Sequence, residues 1–256
     1  MSKIKDALIY ISLPFLFFVL ILLLTVRSKL DVYIVNPLLK VQAKTAMQSN
    51  YIGEKITYDV RLGSLYLGKA QFLNLDNAKV GGMSLGLMTL TTKLTQFTDT
   101  EKIYSDLDTF LPIRVERDIS RFLGHEKITE DYDQNNFIVA IVKNTGSKEE
   151  KLTIKKDSVI HNAVLLPYYV RRIPKLEIGM IIAANLPTRR LQVKLVSIDD
   201  IKVPAGNFKA YHFISTPKQI EIWISVDERR IPLKILNDGL FNYSMIMSEY
   251  SLDKKI

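Results

Sequence analysis

Gly82-Met83-Ser84-Leu85-Gly86 has the G-x-S-x-G spacing of a nucleophile elbow, in which a strained turn between a buried strand and a helix exposes a serine hydroxyl. Here Asp76-Asn77-Ala78-Lys79 precedes the serine and a threonine-rich, strand-like run, Leu87 to Thr95, follows it. With no helix to follow, the segment reads as a glycine-flanked β-turn. His125, His161 and His212 are far apart, and none has a second histidine or a carboxylate at i+4 of an expected helix, so no metal motif is present. Asp106, Asp108, Glu116 and Asp118 could supply a carboxylate pair for glycoside chemistry, but charged residues on the solvent face of paired strands are far commoner. Arg171-Arg172, Arg189-Arg190 and Arg229-Arg230 could converge on an anionic headgroup or glycan through bidentate forks. Adjacent side chains of a strand point to opposite faces, so at most one of each pair joins such a site, and turn-flanking surface charge is the simpler assignment. Trp223 and Tyr168, close to these pairs, are assigned to the core rather than to a stacking platform. Asn242-Tyr243-Ser244 fits a glycosylation acceptor. These residues yield no catalytic, cofactor-binding or metal-ligating assignment, and the expectation is a protein that is not an enzyme.

Composition narrows the classes further. The 256 residues include no cysteine, which excludes a disulfide scaffold, a cysteine nucleophile, an iron–sulfur site and a thiolate zinc site. Apolar types make up 47% and charged types 24%, the balance of a chain that folds around a core. Half of the net charge of +8 lies in residues 1–50, and the +4 left for the rest is thin for a face that must neutralise several phosphates. Nucleic acid is therefore not an expected partner.

The elements that would position any site begin with a membrane segment. Ala7 to Val26 is a run of twenty uncharged residues between Asp6 and Arg27. As a helix it would span ~30 Å, the thickness of a bilayer's hydrocarbon core. Pro14 inside it is tolerable in a membrane helix, where neighbouring groups compensate for the lost hydrogen bond. Lys3 and Lys5 would also suit the start of a cleaved secretory signal, but the apolar run is too long for one and ends Leu24-Thr25-Val26-Arg27 without small residues for cleavage. Lys and Arg flank the span on both sides, so charge alone leaves its orientation open. The expected division is a cytoplasmic tail over residues 1–6, a transmembrane anchor over 7–27, a juxtamembrane connector over 28–50 and a β-rich domain over 51–256.

From Gly53 onward the pattern is that of antiparallel β-structure. Ile56, Tyr58, Val60 and Leu62 alternate with Thr57, Asp59 and Arg61, as on a strand with one buried face. Similar runs recur at Leu85–Leu94, Ile113–Ile119, Phe137–Val142, Leu191–Ile198, Phe208–Ile214, Ile220–Val226 and Ile231–Leu236. Gly81-Gly82, Asn144-Thr145-Gly146, Pro204-Ala205-Gly206-Asn207 and Asn237-Asp238-Gly239 punctuate them as turns. The last two strands should form a hairpin across Asp227-Glu228-Arg229-Arg230. His161 to Ile173 has helical spacing, with Pro167 in or near its first turn and Pro174 stopping it. No repeat of 20–50 residues is apparent, which argues against a propeller or solenoid. The fold expected is mainly β: a single antiparallel curved sheet or open β-barrel-like domain with one short helix, preceded by an N-terminal transmembrane helix.

Gly53-Glu54-Lys55-Ile56-Thr57-Tyr58-Asp59-Val60, followed by Gly68-Lys69-Ala70, resembles the opening of the bacterial envelope family catalogued as domain of unknown function 3108, DUF3108. Phe110-Leu111-Pro112-Ile113-Arg114, Val203-Pro204-Ala205-Gly206-Asn207-Phe208, Ile222-Trp223-Ile224-Ser225 and Arg230-Ile231-Pro232-Leu233-Lys234 resemble its later stretches in order, over about residues 51–250. The resemblance implies an exported, β-rich envelope protein, hence a bacterial inner-membrane, single-pass protein with a periplasmic C-terminal domain. It supplies no activity, cofactor or site residue. Family members often begin with a cleavable signal, and the longer apolar run departs from that pattern. Two functions are expected from these readings. One is a non-enzymatic binding module for a lipid or lipid-linked glycan, held on a concave face lined with Leu, Ile and Met. The other is a scaffold or assembly partner of another envelope protein, docking through its surface or its apolar connector.

Overall fold

In the computed structural model the structure describes residues 51–122, 124–238 and 242–253. The expected tail, anchor and connector, residues 1–50, lie outside the described residues. Among those described, no helix is long and apolar enough to cross a membrane.

The chain forms fourteen strands: β1 (Glu54–Leu62), β2 (Leu65–Val80), β3 (Met83–Leu94), β4 (Phe97–Ser105), β5 (Pro112–Arg121), β6 (Gly124–Asp133), β7 (Ile138–Asn144), β8 (Glu149–Lys155), β9 (Ile181–Asn185), β10 (Arg190–Val203), β11 (Gly206–Thr216), β12 (Ile220–Ser225), β13 (Pro232–Asn237) and β14 (Tyr243–Leu252). One short helix, α1 (Leu166–Arg171), lies between β8 and β9. The strands make one antiparallel sheet in the order β8-β7-β6-β5-β4-β3-β2-β1-β14-β13-β12-β11-β10-β9. Two meanders run outward from a seam where β1 pairs with β14, so both ends of the described chain sit mid-sheet and the edges are β8 and β9.

The sheet curls around α1. On one side Tyr168 packs in a core with Ile56, Tyr58, Phe72, Met88, Ile103, Val115 and Val139. On the other, Leu166 and Val170 pack with Leu191, Val193, Leu195, Phe213 and Ile222. A charge on Arg117 of β5 is felt by Tyr243 of β14, although four strands intervene along the sheet. A flat sheet would hold them ~24 Å apart at ~4.8 Å per strand, so the curl brings them together.

No ladder joins β8 to β9. Residues 156–162 bridge the gap instead. Lys156 N donates to Phe137 O at 2.8 Å, and Ile160 exchanges two 2.9 Å hydrogen bonds with the Gln134 side chain. On the other flank His161 N donates to Asn185 O at 2.7 Å, and Asn185 Nδ2 donates to the Ser158 and Val159 carbonyls at 3.1 Å.

Two glycines of the opening motif fit this packing. A Cβ on Gly53 (φ +83°) would lie 2.1 Å from Asp253 O, and one on Gly68 (φ +152°) would lie 2.1 Å from Lys93 O. Backbone that close to a neighbouring strand admits no side chain.

The expected curved antiparallel sheet with one short helix is the observed architecture. The hairpin across 227–230 is β12–β13, and the helix expected within His161–Ile173 is α1, with Pro167 in its first turn. The strands β2, β4, β6, β8, β9 and β14 had no counterpart in the sequence reading. Runs such as Thr98-Asp99-Thr100-Glu101-Lys102 carry too many polar residues to alternate visibly, and here curl and cross-strand pairing decide.

Candidate functional site

Alternation along β3 to β8 sets two adjacent rows on the concave face. One runs Leu90, Glu101, Arg117, Ile128, Lys143, Glu150, and the next runs Met88, Ile103, Val115, Glu130, Ile141, Leu152. Met88, Ile103 and Val115 are fully buried under α1. Leu90, Glu101, Arg117, Glu130 and Ile141 are only half-buried. The packed core therefore gives way to a half-buried stretch of the concave face, with Leu90 and Ile141 packed against the core at its margins and Glu101, Arg117 and Glu130 as its charged floor.

The floor is tightly organised. Arg117 Nε donates to both Asp99 carboxylate oxygens, at 2.9 and 3.0 Å, and Nη2 also contacts Oδ2. Tyr132 donates its hydroxyl to Glu130. Asn162, from the bridging segment, accepts from Val164 N at 2.7 Å through Oδ1, which leaves its amide nitrogen for Glu101 and Tyr132, the two side chains it hydrogen-bonds. Burial pushes the Glu101 carboxyl up to about 7; the Arg117 charge opposes this, the Glu130 and Asp99 charges add to it, and the Asn162 hydrogen bond opposes it. Burial also raises Glu130, against the Tyr132 hydrogen bond and Arg117. Three carboxylates thus face one guanidinium on a half-buried face that disfavours charge, the arrangement found where carboxyls are held ready to donate as well as accept.

At the C-terminal end of α1 stands a second, closed network. Arg171 donates from Nη2 to Glu54 Oε1 at 2.6 Å and from Nη1 to Oε2 at 2.7 Å, and both side chains are almost wholly buried. Arg171 Nε and Nη2 also donate to Arg229 O at 3.2 and 2.9 Å. Tyr250 and Asn74 donate to Glu54, and the Tyr51 ring lies 4.1 Å from the guanidinium. With every side-chain polar atom of Arg171 and Glu54 engaged, this network fixes the helix.

Arg171 therefore overturns its assignment as turn-flanking surface charge: α1 lies inside the curl, and its last turn delivers the side chain to Glu54. Two of the three arginine pairs do converge here. Arg172 donates to Asp108 O, and Arg230 donates to the carbonyls of Arg171, Ile173 and Pro174. Arg230 Nη1 and Nη2 and Arg172 Nη2 are committed to backbone carbonyls, while Arg172 Nε is buried without a hydrogen-bond partner among the described residues. Arg189 and Arg190 lie apart, engaged with Gln219 and Asp157.

The other singled-out residues have structural partners. Ser84 is exposed at the start of β3, opposite Lys79, and the strand runs on to Leu94 with no helix behind it. Asp106 caps the β4–β5 turn through Thr109 N at 2.7 Å, Glu116 pairs with Arg114, and Asp118 binds His125 at 2.7 Å. Asn185 N donates to His161 Nδ1 at 3.1 Å, and burial depresses the His161 pKa. His212 lies on the convex face, stacked on Trp223 at 4.1 Å, with Nδ1 3.1 Å from Asp199 and Nε2 2.9 Å from Glu221. Its two nitrogens face different carboxylates, so the three share no point for a metal, and no such cluster occurs among the described residues. Trp223 and Tyr168 are buried, as expected.

The concave face carries the expected Leu, Ile and Met, but Asp99, Glu101, Arg117 and Glu130 stand among them. Sequence reasoning missed these four. The signal was period two: Asp99, Glu101 and Ile103; Val115, Arg117 and Ile119; Ile128, Glu130 and Tyr132 each place charge on a face otherwise apolar.

A family model for proteins of unknown function, DUF3108, matches residues 83–244. The chain belongs to the DUF3108 family. The matched DUF3108 span contains Asp99, Glu101, Arg117, Glu130, Tyr132, Asn162 and α1; Glu54 and the two opening glycines lie before it. No curated protein matches this DUF3108 chain. Among solved structures it is similar to a β-barrel-like protein of domain of unknown function DUF1849 from Brucella abortus, at 9% identity over 80% of this chain and 99% of that one, with a TM-score of 0.48. It is also similar to a protein described as exported, with a YmcC-like fold, from Bacteroides fragilis (7% identity, 79% and 97% covered, TM-score 0.28). A protein described as a lipoprotein from Parabacteroides distasonis is a third (7% identity, 79% and 96% covered, TM-score 0.28).

Proposed function

We propose that this DUF3108 chain is a membrane-anchored envelope protein whose concave face binds an amphipathic ligand, a lipid or lipid-linked glycan, without transforming it. The observation that carries this reading is the makeup of the concave face: half-buried Leu90 and Ile141 beside the Glu101–Arg117–Glu130 floor and the Asn162 amide. An acyl or isoprenoid chain fits the apolar margins, and a hydroxyl-rich head group fits carboxyls that both donate and accept.

Full-length protein extracted in mild detergent should carry lipid detectable by native mass spectrometry. Leu90→Trp with Ile141→Trp, which crowds these margins, should lower occupancy at least about tenfold (~1.4 kcal/mol) at an unchanged melting temperature. Wild-type protein repeatedly free of lipid would sink the proposal.

Residues 7–27 supply the anchor in this reading, with residues 51–256 in the periplasm. A reporter active only outside the cytoplasm, fused after residue 256, should be active and run at full length on a gel. Stable but inactive fusion protein would place the domain in the cytoplasm. A shortened active product would mean a cleaved signal.

A second reading, an assembly partner of another envelope protein, is favoured by the edge strand β8, which is exposed along almost its whole length. Crosslinking in intact cells should then return one reproducible partner, and none would count against it.

A further inference from the structure

The two edges of the sheet are unlike. β9 is five residues long, and Asn185 at its end is tied to Ser158 and Val159 of the bridging segment. β8 is seven residues long, Glu149-Glu150-Lys151-Leu152-Thr153-Ile154-Lys155, and every residue is exposed except the half-buried Ile154. Among the described residues it pairs with β7 on one side and with no strand on the other. No proline or bulge blunts it, and Leu152, on the concave side, is 55% exposed. Exposed edges of this kind either are protected by charge or take another strand.

The sequence of β8 is complementary to itself. In an antiparallel pair of two copies related by a two-fold axis normal to the sheet, Leu152 must oppose Leu152 or another residue its own copy, because only then do facing side chains share a face. Centred on Leu152, Glu149 opposes Lys155, Lys151 opposes Thr153, and Glu150 opposes Ile154. The convex face then gains two Glu–Lys cross-strand pairs. The concave face gains a Leu152–Leu152 pair flanked on each side by a Glu150–Ile154 pair. Within the strand no like charges face each other, and opposite charges directly across a ladder stabilise it. Just beyond it Lys148 would face Lys156, but Lys148 is held by Glu150 at 2.6 Å and Lys156 donates to Pro187 O at 3.2 Å.

We infer that β8 is a homodimerisation edge, on which a second copy of this chain adds its own β8 in antiparallel register centred on Leu152. The two sheets then become one continuous sheet across the two-fold axis. A single strand pair buries less than the ~1,200 Å² of a lasting complex, so the dimer forms reversibly and in proportion to concentration. This inference does not depend on what the concave face binds.

The chain has no cysteine, so each single-cysteine variant reports one position. In full-length protein in native membranes, Leu152→Cys should oxidise to a disulfide dimer, since facing Cα atoms of a ladder lie ~4.5–5.5 Å apart, within disulfide reach. Glu150→Cys, ~14 Å from its mate in this register at ~3.4 Å per residue, should crosslink at least tenfold less, as should Ser84→Cys on the exposed β3. Charge supplies the second arm. Glu149→Lys or Lys155→Glu should each weaken the dimer severalfold by analytical ultracentrifugation in detergent, and the two together should restore it. These exposed substitutions leave the fold intact, so unchanged melting temperatures accompany each result. Equal crosslinking at all three positions would mean random collision. Absent Leu152→Cys dimer, or failure of the charge swap to restore association, would overturn the inference and leave β8 a charge-protected edge.

Discussion

Arg171→Met should lower the melting temperature by about 10 °C, although it removes no part of the charged floor. The substitution keeps most of the aliphatic bulk of the side chain but leaves Glu54 a buried carboxylate without its cation. Breaking a buried ion pair from one side costs about 3–5 kcal/mol, because the desolvation of the remaining charge is no longer offset. For a domain of this size each kcal/mol moves the midpoint by about 2–4 °C. Arg171 also donates to the Arg229 carbonyl and lies over the Tyr51 ring, so the loss reaches the β12–β13 loop and the first described residues together. Glu54→Gln should fall less far, since a neutral amide accepts some of the same bonds. The double variant Glu54→Leu with Arg171→Met should recover most of the loss, because two apolar side chains carry no unpaired charge. Thermal melts followed by circular dichroism decide it: a single variant within about 2 °C of wild type would mean that water reaches Glu54 and that the pair does not hold the helix.

The sequence made the frame legible and hid the site, and the same physics explains both. In β1 and β10 buried Ile56, Tyr58 and Val60, and Leu191, Val193 and Leu195, recur at every second residue, so period two is plain in them, and glycine and proline mark the turns. In β4 and β6 the buried face itself holds Asp99, Glu101, Glu126 and Glu130, so a reader counting hydrophobic residues finds no strand. Those charges are tolerable because cations stand among them across the ladders, Arg117 beside Asp99, Glu101 and Glu130, and Arg121 and Lys143 beside Glu126, and because Asn162 reaches Glu101 from beyond β8, a contact that depends on the bridging segment. Arg171 eluded the reading for a related reason. Its pairing with Arg172 suggested surface charge, and only its placement on a helix inside the curl turns one arginine inward to Glu54 and the other toward Asp108.

Glu101→Gln should stabilise the protein above pH 7 and leave it unchanged near pH 4. The Glu101 carboxyl holds its proton up to about 7 in the folded protein, against 4.5 for an unperturbed glutamate. Between those values the folded state binds more protons than the unfolded state, so stability falls as pH rises. The favourable contribution of the neutral carboxyl is complete below pH 4.5 and lost by pH 7. At ~1.4 kcal/mol per unit the shift gives an upper bound of about 3–4 kcal/mol, and partial solvent access reduces this to about 2 kcal/mol. Glutamine reproduces the neutral form and removes that pH dependence. At pH 8 the variant should therefore melt about 4–8 °C above wild type, and the gap should close on acidification through pH 7 to 4.5. Glu130, raised on the same face, shares the titration, so the observed midpoint belongs to the pair. A variant less stable than wild type at pH 8 would show that attraction to Arg117 outweighs burial. Stabilisation at pH 8 would identify Glu101 as a carboxylate that the fold bears at a cost, which is the condition of a group retained for what it binds rather than for what it holds together.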